Sequence, residues 1–301
     1  ERAAQPDDAV EVVGEPAVQP RAGERAPVEQ SLEALDAVPE RQRGAVDGRG
    51  DGGVRLRARL AVPLDCDTHP GDSDAEQVVA PVSNVIPLPD GLTPAEAAVA
   101  EPITVAYHGL LKSPLRQGNS AAVIGMGPIG LGLIQLAKAA GAGPVVASGH
   151  REARRELARE CGADLVVDPR ERDLPEAVRE VTEDGVDVAF EVAGSESGLN
   201  DAIKSSKPSG HTTILGVFKG PVEFDPMDLV NSERSVNASA AYETGPLADR
   251  EFGEVYDMLA AGDLDPDPLV TSHIGLEEIV DRGFEPLGDR ESGEVKVLVE
   301  P

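Results

Sequence analysis

Short apolar runs alternate with amphipathic stretches along most of the chain after residue 76. The stretches 129–140 and 151–161 carry apolar residues at helical spacing, and Thr93-Pro94 followed by Glu96 has the form of a capped helix start. The apolar runs predict strands over 78–82, 121–124, 145–148, 165–167, 186–192, 213–217, 236–240 and 295–299. Because strands alternate with helices, the pattern predicts an α/β fold with a doubly wound parallel sheet of about six strands.

A glycine motif joins the predicted strand 121–124 to the helix that follows it. Gly125 permits a tight turn, Gly127 lets the backbone approach a pyrophosphate, and Gly130 lets the helix pack closely on its strand. Pro128 and Ile129 begin that helix, whose free N–H groups would face the phosphates. Since a strand and a helix flank the motif, it predicts a dinucleotide site rather than a plain glycine turn.

The residues after the next strand bear on the choice of dinucleotide. NAD-binding units place an acidic residue there, about 20 residues beyond the glycines, to accept the ribose hydroxyls. This chain has Ser148 and then Gly149, His150 and Arg151. Gly leaves room for a 2′-phosphate and Arg can pair with it, so we expect NADP(H) to be slightly favoured over NAD(H). The alternative is that His150 and Arg151 only begin the next helix.

Residues 1–76 differ in composition from the rest of the chain. They contain no Lys, Asn, Ile, Met, Phe, Tyr or Trp, and 31–37 is their one predicted helix. Such a segment buries little apolar surface against its ordering entropy. Two interpretations stay open: an out-of-frame translation of GC-rich DNA or a misassigned start, and a natural acidic disordered arm.

The chain is strongly acidic, with 27 Lys+Arg against 55 Asp+Glu and a formal net charge of −28. This charge disfavours nucleic acid and anionic membranes as partners. Because the acidic excess is spread along the chain, it is typical of a halophilic protein, although a generic acidic surface is the alternative. The chain has 2 Cys and no apolar run of about 18 residues, so we expect no disulfide framework, no membrane span and a cytoplasmic protein.

Several segments occur in the order found in one enzyme family. They are 76–79, 84–92, 97–102, 121–130, 155–164, 186–194, 276–285 and 295–299. Together they resemble the zinc-dependent medium-chain dehydrogenases, in the branch of the butanediol, threonine and sorbitol dehydrogenases. The resemblance covers about residues 76–301.

The resemblance implies a Rossmann domain beside a GroES-like β domain that is incomplete or degraded here. Residues 77–103 would be its remnant, 104–270 the dinucleotide-binding domain, and 271–301 a C-terminal return to the catalytic domain. It implies NAD(P)-dependent oxidation of a small secondary alcohol or polyol by a homo-oligomer. It also implies that Gly194, Leu215, Gly216 and Val217 lie near the nicotinamide, with Lys296 as a weaker candidate.

The family uses zinc to polarise the alcohol oxygen, and this chain departs from the family's ligand pattern. The usual Gly-His-Glu segment and cysteine cluster do not occur in it. Cys66 and His69 are a Cys-x-x-His pair without two further ligands, so we interpret them as a chance pair and predict no metal ligand. Glu101 matches the family's acidic residue beside the catalytic metal, and its alternative role is a carboxylate at a helix end.

The remaining histidines and Cys161 are interpreted as structural. His108 would link into the cofactor domain, His211 would begin a strand, and His273 would precede the last helix. The leading hypothesis is an alcohol or polyol dehydrogenase. The alternative is a cofactor-binding remnant without turnover, since the zinc ligands are missing. A zinc-free quinone reductase is less favoured, because 101–102 and the C-terminal block resemble the zinc branch.

Overall fold

The structure is a computed structural model that describes residues 54–57, 77–80, 86–243, 248–289 and 291–300. Its strands are β1 Val54–Arg57, β2 Gln77–Ala80, β3 Ala121–Ile124, β4 Val145–Ser148, β5 Leu165–Val167, β6 Val186–Glu191, β7 Ser206–Ile214, β8 Ser235–Ala238, β9 Val270–Gly275 and β10 Lys296–Glu300. Its α-helices are α1 Pro94–Ala97, α2 Ala100–Lys112, α3 Pro128–Ala139, α4 Glu152–Glu160, α5 Leu174–Val181, α6 Glu196–Ser205, α7 Met227–Val230, α8 Ala248–Ala261 and α9 Glu285–Gly288.

Six parallel strands form the central sheet, in the order β5-β4-β3-β6-β7-β8. Ala121 of β3 pairs with Val145 of β4 on one side and with Val188 of β6 on the other. The chain therefore adds strands outward from β3 in one direction and then from β6 in the other. This is the doubly wound sheet that the sequence predicts, and its switch point lies between β3 and β6.

Helices cover the central strands on both faces, which explains why those strands have uninterrupted apolar runs. Every residue of β3 and of β4 is buried. One core cluster joins the strands to α5 through Val146, Val167, Leu174 and Val178. Another set of buried residues lies on α3, whose Leu131, Leu133 and Ile134 are fully buried.

The predicted start of the first helix is confirmed. The backbone N–H of Glu96 donates to Thr93 Oγ1 at 3.2 Å, and the Thr93 N–H donates to Glu96 Oε2 at 2.7 Å. This reciprocal pair is a capping box, and Pro94 occupies the first helical turn.

The predicted strand 213–217 is placed differently. β7 begins at Ser206 and ends at Ile214, so most of it precedes the predicted run. The early part of β7 is not predicted from the sequence, because Pro208 and Gly210 are both typical of loops. The chain leaves the sheet after Ile214, where the N–H groups of Leu215 and Gly216 both donate to the carbonyl of Glu191.

Two smaller sheets complete the described structure. β1 pairs antiparallel with β2, and β9 pairs parallel with β10. β1 lies in the anomalous segment 1–76, where the sequence predicts no strand, whereas the predicted helix 31–37 lies outside the described residues. Between β9 and β10 the chain forms a 3₁₀ turn and the π-helix Ile279–Phe284. In the described part of the chain no helix is both long and apolar enough to cross a membrane.

Candidate functional site

A cleft of about 660 Å³ opens at the carboxyl ends of β3, β4 and β6, beside the switch point of the sheet. Its volume falls in the range of small-molecule and cofactor sites. The residues that line it are Ile124, Gly125, Met126, Gly127, Ser148, Gly149, His150, Arg151, Arg154, Pro169, Val192, Ala193, Ser195, Ser197, Gly198 and Asp201. Five of the residues predicted to bind a cofactor are in this lining: Gly125, Gly127, Gly149, His150 and Arg151.

The glycine motif forms the floor of the cleft. Gly125 has φ +114°, and a Cβ there would lie 2.9 Å from the Ala193 nitrogen. A Cβ at Gly130 would lie 2.0 Å from the Gly125 carbonyl oxygen, whereas a Cβ at Gly127 would meet nothing within 4 Å. Gly125 and Gly130 are therefore required by the protein's own packing. Gly127 caps α3 and keeps the cleft open in front of the helix N-terminus.

The predicted basic residues lie at the end of the cleft beside β4. Arg151 precedes α4, and its Nη1 donates to the carbonyl oxygen of Ser292 at 3.4 Å. The structure adds Arg154, one helical turn further on, which donates to the carbonyl oxygen of Glu294. Burial, reinforced by the charge of Arg151, lowers the pKa of Arg154 to about 10. The sequence analysis missed Arg154, although its i+3 spacing from Arg151 indicates a shared helix face.

A buried charge network holds the loop after β4. Arg155 Nη1 donates to the His150 carbonyl at 2.8 Å and to Asp168 Oδ2 at 2.7 Å. Arg170 donates to the same carbonyl at 2.6 Å and to the same carboxylate. The hydrogen bonds from Arg170 hold the pKa of Asp168 well below its ordinary value. The network fixes the backbone of Gly149 and His150 at the rim of the cleft.

The residues implied to lie near a nicotinamide, Gly194, Leu215, Gly216 and Val217, belong to two touching loops after β6 and β7, and none of the four is in the cleft lining, although their neighbours Ala193 and Ser195 are. A Cβ at Gly194 would lie 2.4 Å from the Val217 carbonyl oxygen, so the loops 192–195 and 215–217 are in direct contact. Leu215 is buried, whereas the Val217 side chain is largely exposed. Glu191, the last residue of β6, is hydrogen-bonded to both loops. The sequence analysis missed this role because Glu191 ends a strand of mostly apolar residues.

Glu101 and Lys296 are far apart in the sequence, but the fold places their charges close enough to influence each other. Glu101 lies in the first turn of α2 and Lys296 begins β10. Surrounding protein raises the pKa of Glu101, while the charge of Lys296 opposes this shift. Burial lowers the pKa of Lys296, which Glu101 in turn opposes. Neither residue is part of the cleft lining.

The histidines interpreted as structural make protein contacts. His108 lies within α2 and bonds to Glu251. His211 lies in the middle of β7 rather than at its start, since the strand begins five residues earlier. His273 lies in β9 and bonds to Glu300, ahead of a 3₁₀ turn and a π-helix rather than a regular helix. Cys161 is buried, and burial raises the pKa of its thiol to about 11.

The described residues do not fit the zinc site that the family resemblance implies. Within the described ranges, His108, Glu243 and Glu251 form the one group of three side chains close enough to hold a metal. Glu101 does not belong to this group, and a catalytic zinc needs about three protein ligands around an open position. Cys66 and His69 lie outside the described residues.

Comparison with known proteins agrees with the fold and the cleft. Residues 128–261 match the family model described as zinc-binding dehydrogenase. The chain is 36% identical over 232 residues to (R,R)-butanediol dehydrogenase of Bacillus subtilis (strain 168), covering 77% of this chain and 65% of the relative. It is 33% identical over 227 residues to L-threonine 3-dehydrogenase of Pyrococcus furiosus, covering 75% of this chain and 64% of the relative.

Solved structures give the same result. The structure of 2R,3R-butanediol dehydrogenase from Bacillus subtilis matches with a TM-score of 0.69 at 36% identity, over 75% of this chain and 63% of that one. A Sinorhizobium meliloti 1021 protein solved bound to NADP matches with a TM-score of 0.67 at 33% identity, over 76% of this chain and 66% of that one. The fold and cleft define a dinucleotide-binding α/β protein, and the chain is similar to the zinc-binding dehydrogenases, in agreement with the medium-chain family that its sequence resembles. It spans a little under two thirds of the length of these relatives.

Proposed function

We propose that this protein is a nicotinamide-dependent oxidoreductase of the alcohol and polyol dehydrogenase type. It would transfer hydride between a secondary alcohol and the nicotinamide ring. One observation carries the proposal: the cleft at the switch point combines a glycine turn, a helix N-terminus and an open approach at Gly127. A dinucleotide laid across a doubly wound sheet occupies this position.

The residues of the chain have distinct tasks in this proposal. The first turn of α3 presents the free backbone N–H groups of Ile129 and Gly130 to the pyrophosphate, whereas Pro128, which has no N–H, fixes the start of the helix after Gly127. Gly130 holds α3 against the turn, and the loops 192–195 and 215–217 contain the nicotinamide half. The bound nicotinamide supplies the hydride acceptor or donor. No step is assigned to zinc, because the described residues do not supply its ligands.

We propose further that NADP(H) is favoured over NAD(H). Gly149 lies in the cleft lining beside Arg151 and Arg154, and a Cβ there would lie 3.1 Å from the Met126 side chain. An acidic residue in its place would repel a 2′-phosphate. Arg151 and Arg154 both line the cleft, and the pKa of Arg154 is lowered in part by the charge of Arg151. A bound phosphate would relieve this repulsion. The NADP-bound relative supports the proposal.

Titration calorimetry in high salt tests the cofactor preference. Arg154→Ala should weaken NADP⁺ binding about tenfold, or about 1.4 kcal/mol, and leave NAD⁺ binding nearly unchanged. Arg159→Ala is the matched control, because Arg159 lies on the same helix outside the cleft lining. A wild-type preference for NAD⁺ would overturn the NADP assignment while leaving the oxidoreductase proposal intact.

The alternative function is a cofactor-binding remnant without turnover, motivated by the zinc ligands that the sequence lacks. The relatives favour the enzyme, since they are named as butanediol and threonine dehydrogenases. An assay of the full chain with butane-2,3-diol, threonine and sorbitol distinguishes the two, with zinc measured by elemental analysis of the same sample. Substrate-dependent NADPH formation supports the enzyme, whereas tight dinucleotide binding without turnover supports the remnant.

The domain assignment follows the same proposal. Residues 104–270 would form the dinucleotide-binding domain, with 77–103 and 271–301 belonging to the catalytic part. The electrostatic interaction between Glu101 and Lys296 supports this division, because the two residues belong to those two flanking segments. A homo-oligomer is also proposed. Val217, Phe224, Met227, Val230 and Val236 are exposed apolar residues around the edge strand β8, where a second copy could bury them.

A further inference from the structure

Glu191 is a carboxylate at the centre of the cofactor domain whose task the glycine motif does not explain. It ends β6, where its backbone pairs with Ile124 of β3 and with Ile214 of β7. Its side chain has no exposed surface. A fully buried carboxylate is rare unless the protein supplies partners for it.

The partners of Glu191 are backbone N–H groups of one loop. Oε1 accepts from Ala193 at 3.0 Å and from Gly194 at 2.8 Å. Ala193 lines the cleft, as do Val192 and Ser195 on the same loop. Burial raises the pKa of Glu191, and the N–H groups of the loop act against this rise. The side chain therefore fixes the backbone course of the loop 192–195.

Glu191 also holds the neighbouring loop through its own backbone. Its carbonyl oxygen accepts from the N–H of Leu215 at 2.8 Å and from that of Gly216 at 3.0 Å. A Cβ at Gly216 would lie 2.3 Å from Glu191 Oε2, so a glycine there makes room for the carboxylate. Oε2 itself has no hydrogen-bond partner among the described residues.

The two loops lie on one side of the switch point, and the glycine turn and Arg151 lie on the other. In a doubly wound sheet a dinucleotide crosses this point, with its adenosine on the side of the first strands and its nicotinamide on the far side. We infer that Glu191 is a positioning residue for the nicotinamide half of the cofactor, which it sets by tying together the loops 192–195 and 215–217. This inference rests on the proposed dinucleotide-binding function.

A comparison of a whole and a half cofactor tests the inference on the full-length chain. Glu191→Gln retains the size of the side chain but removes the charge that strengthens its N–H bonds. We expect the dissociation constant of NADP⁺ to rise about tenfold, while that of 2′,5′-ADP stays within about twofold of the wild-type value. Glu183→Gln removes one negative charge at an exposed position and is the matched control.

A second variant keeps the test decisive if Glu191→Gln folds poorly. Glu191→Asp keeps the charge but shortens the side chain, so that its carboxylate no longer reaches the N–H groups of Ala193 and Gly194, and it should give the same selective loss of NADP⁺ binding. Melting curves of every variant establish folding. Equal weakening of both ligands, or of neither, in a folded variant would overturn the inference. A wild-type chain that binds neither NADP⁺ nor NAD⁺ would overturn the proposed function itself, and the inference with it. A chain that binds only NAD⁺ is tested in the same way with NAD⁺ and 5′-AMP.

Discussion

His108 Nδ1 lies 2.7 Å from Glu251 Oε1, although the two residues are 143 positions apart in the chain. Both side chains are more than nine-tenths buried. Glu251 Oε2 accepts a further bond from the backbone N–H of Glu243 at 2.9 Å. The pair therefore links α2, which carries Glu101, to α8 and to the segment that follows β8.

Removal of this link should destabilise the fold. Glu251→Ala leaves His108 and the Glu243 N–H without their partner, at an expected cost of about 2–3 kcal/mol in the free energy of unfolding. Asp257→Ala is the control, because Asp257 is exposed on the same helix. Thermal melts in molar KCl measure both variants, and equal melting temperatures would show that the pair does not stabilise the fold.

Two glycines of the same motif should respond in opposite ways to substitution by valine. Gly127→Val should fold normally, since the space in front of Gly127 is open, but should lose dinucleotide binding by at least about tenfold. Gly130→Val should unfold the domain, because a Cβ there overlaps the Gly125 carbonyl oxygen.

Gly220→Val is the control for Gly127→Val, as its Cβ also meets open space but lies outside the cleft lining. Calorimetry and circular dichroism give the binding and folding results. Wild-type affinity in folded Gly127→Val would contradict the site.

The Asp168 network predicts that the free energy of unfolding decreases at acidic pH. The pKa of Asp168 is lower in the folded chain than in the unfolded one, where it is about 3.9. Its contribution is therefore complete above that value and is lost as the pH falls toward the folded-state pKa. Asp168→Asn should be less stable than wild type by about 3 kcal/mol at neutral pH, because the buried Arg155 loses its buried carboxylate and keeps only the exposed Glu152 as an ionic partner.

Urea titrations at several pH values between about 3 and 7 measure this contribution. The stability difference between wild type and Asp168→Asn should be constant above about pH 4 and shrink only below it. Asp173→Asn keeps the side-chain oxygen of an exposed helix cap and removes only its charge, so it serves as the comparison. A difference that stays constant with pH would show that the charge of Asp168 is not the source of the stability.

Salt should stabilise the protein. A formal net charge of −28 gives strong self-repulsion at low ionic strength. The Debye length falls from about 30 Å at 0.01 M to about 3 Å at 1 M salt, so molar KCl should raise the melting temperature. An unchanged or falling melting temperature would argue against a halophilic protein.

The sequence determined the elements whose cause is local. The apolar runs of β3 and β4 are buried on both faces, so they indicate strands without reference to partners. The capping box of Thr93 and Glu96 needs only residues three positions apart. The glycine motif is local as well, and its turn and the helix that follows it agree with the prediction.

Tertiary structure alone decided the contacts between distant residues. β7 could not be bounded from its sequence, because Pro208 and Gly210 lie in the irregular stretch between Ser206 and His211, where the register against β6 shifts and pairing with β8 has not yet begun. Arg154 becomes part of the cleft only when α4 packs beside β4. The charge of Lys296 acts on Glu101 only when the fold places β10 near the start of α2. The chain has 55 acidic residues, and nothing in the local sequence distinguishes Glu191 from the others. Only the folded sheet buries it beneath two loops. Hydrophobic periodicity specifies which face of each element is buried, whereas the partners of buried charges depend on which elements the chain brings together.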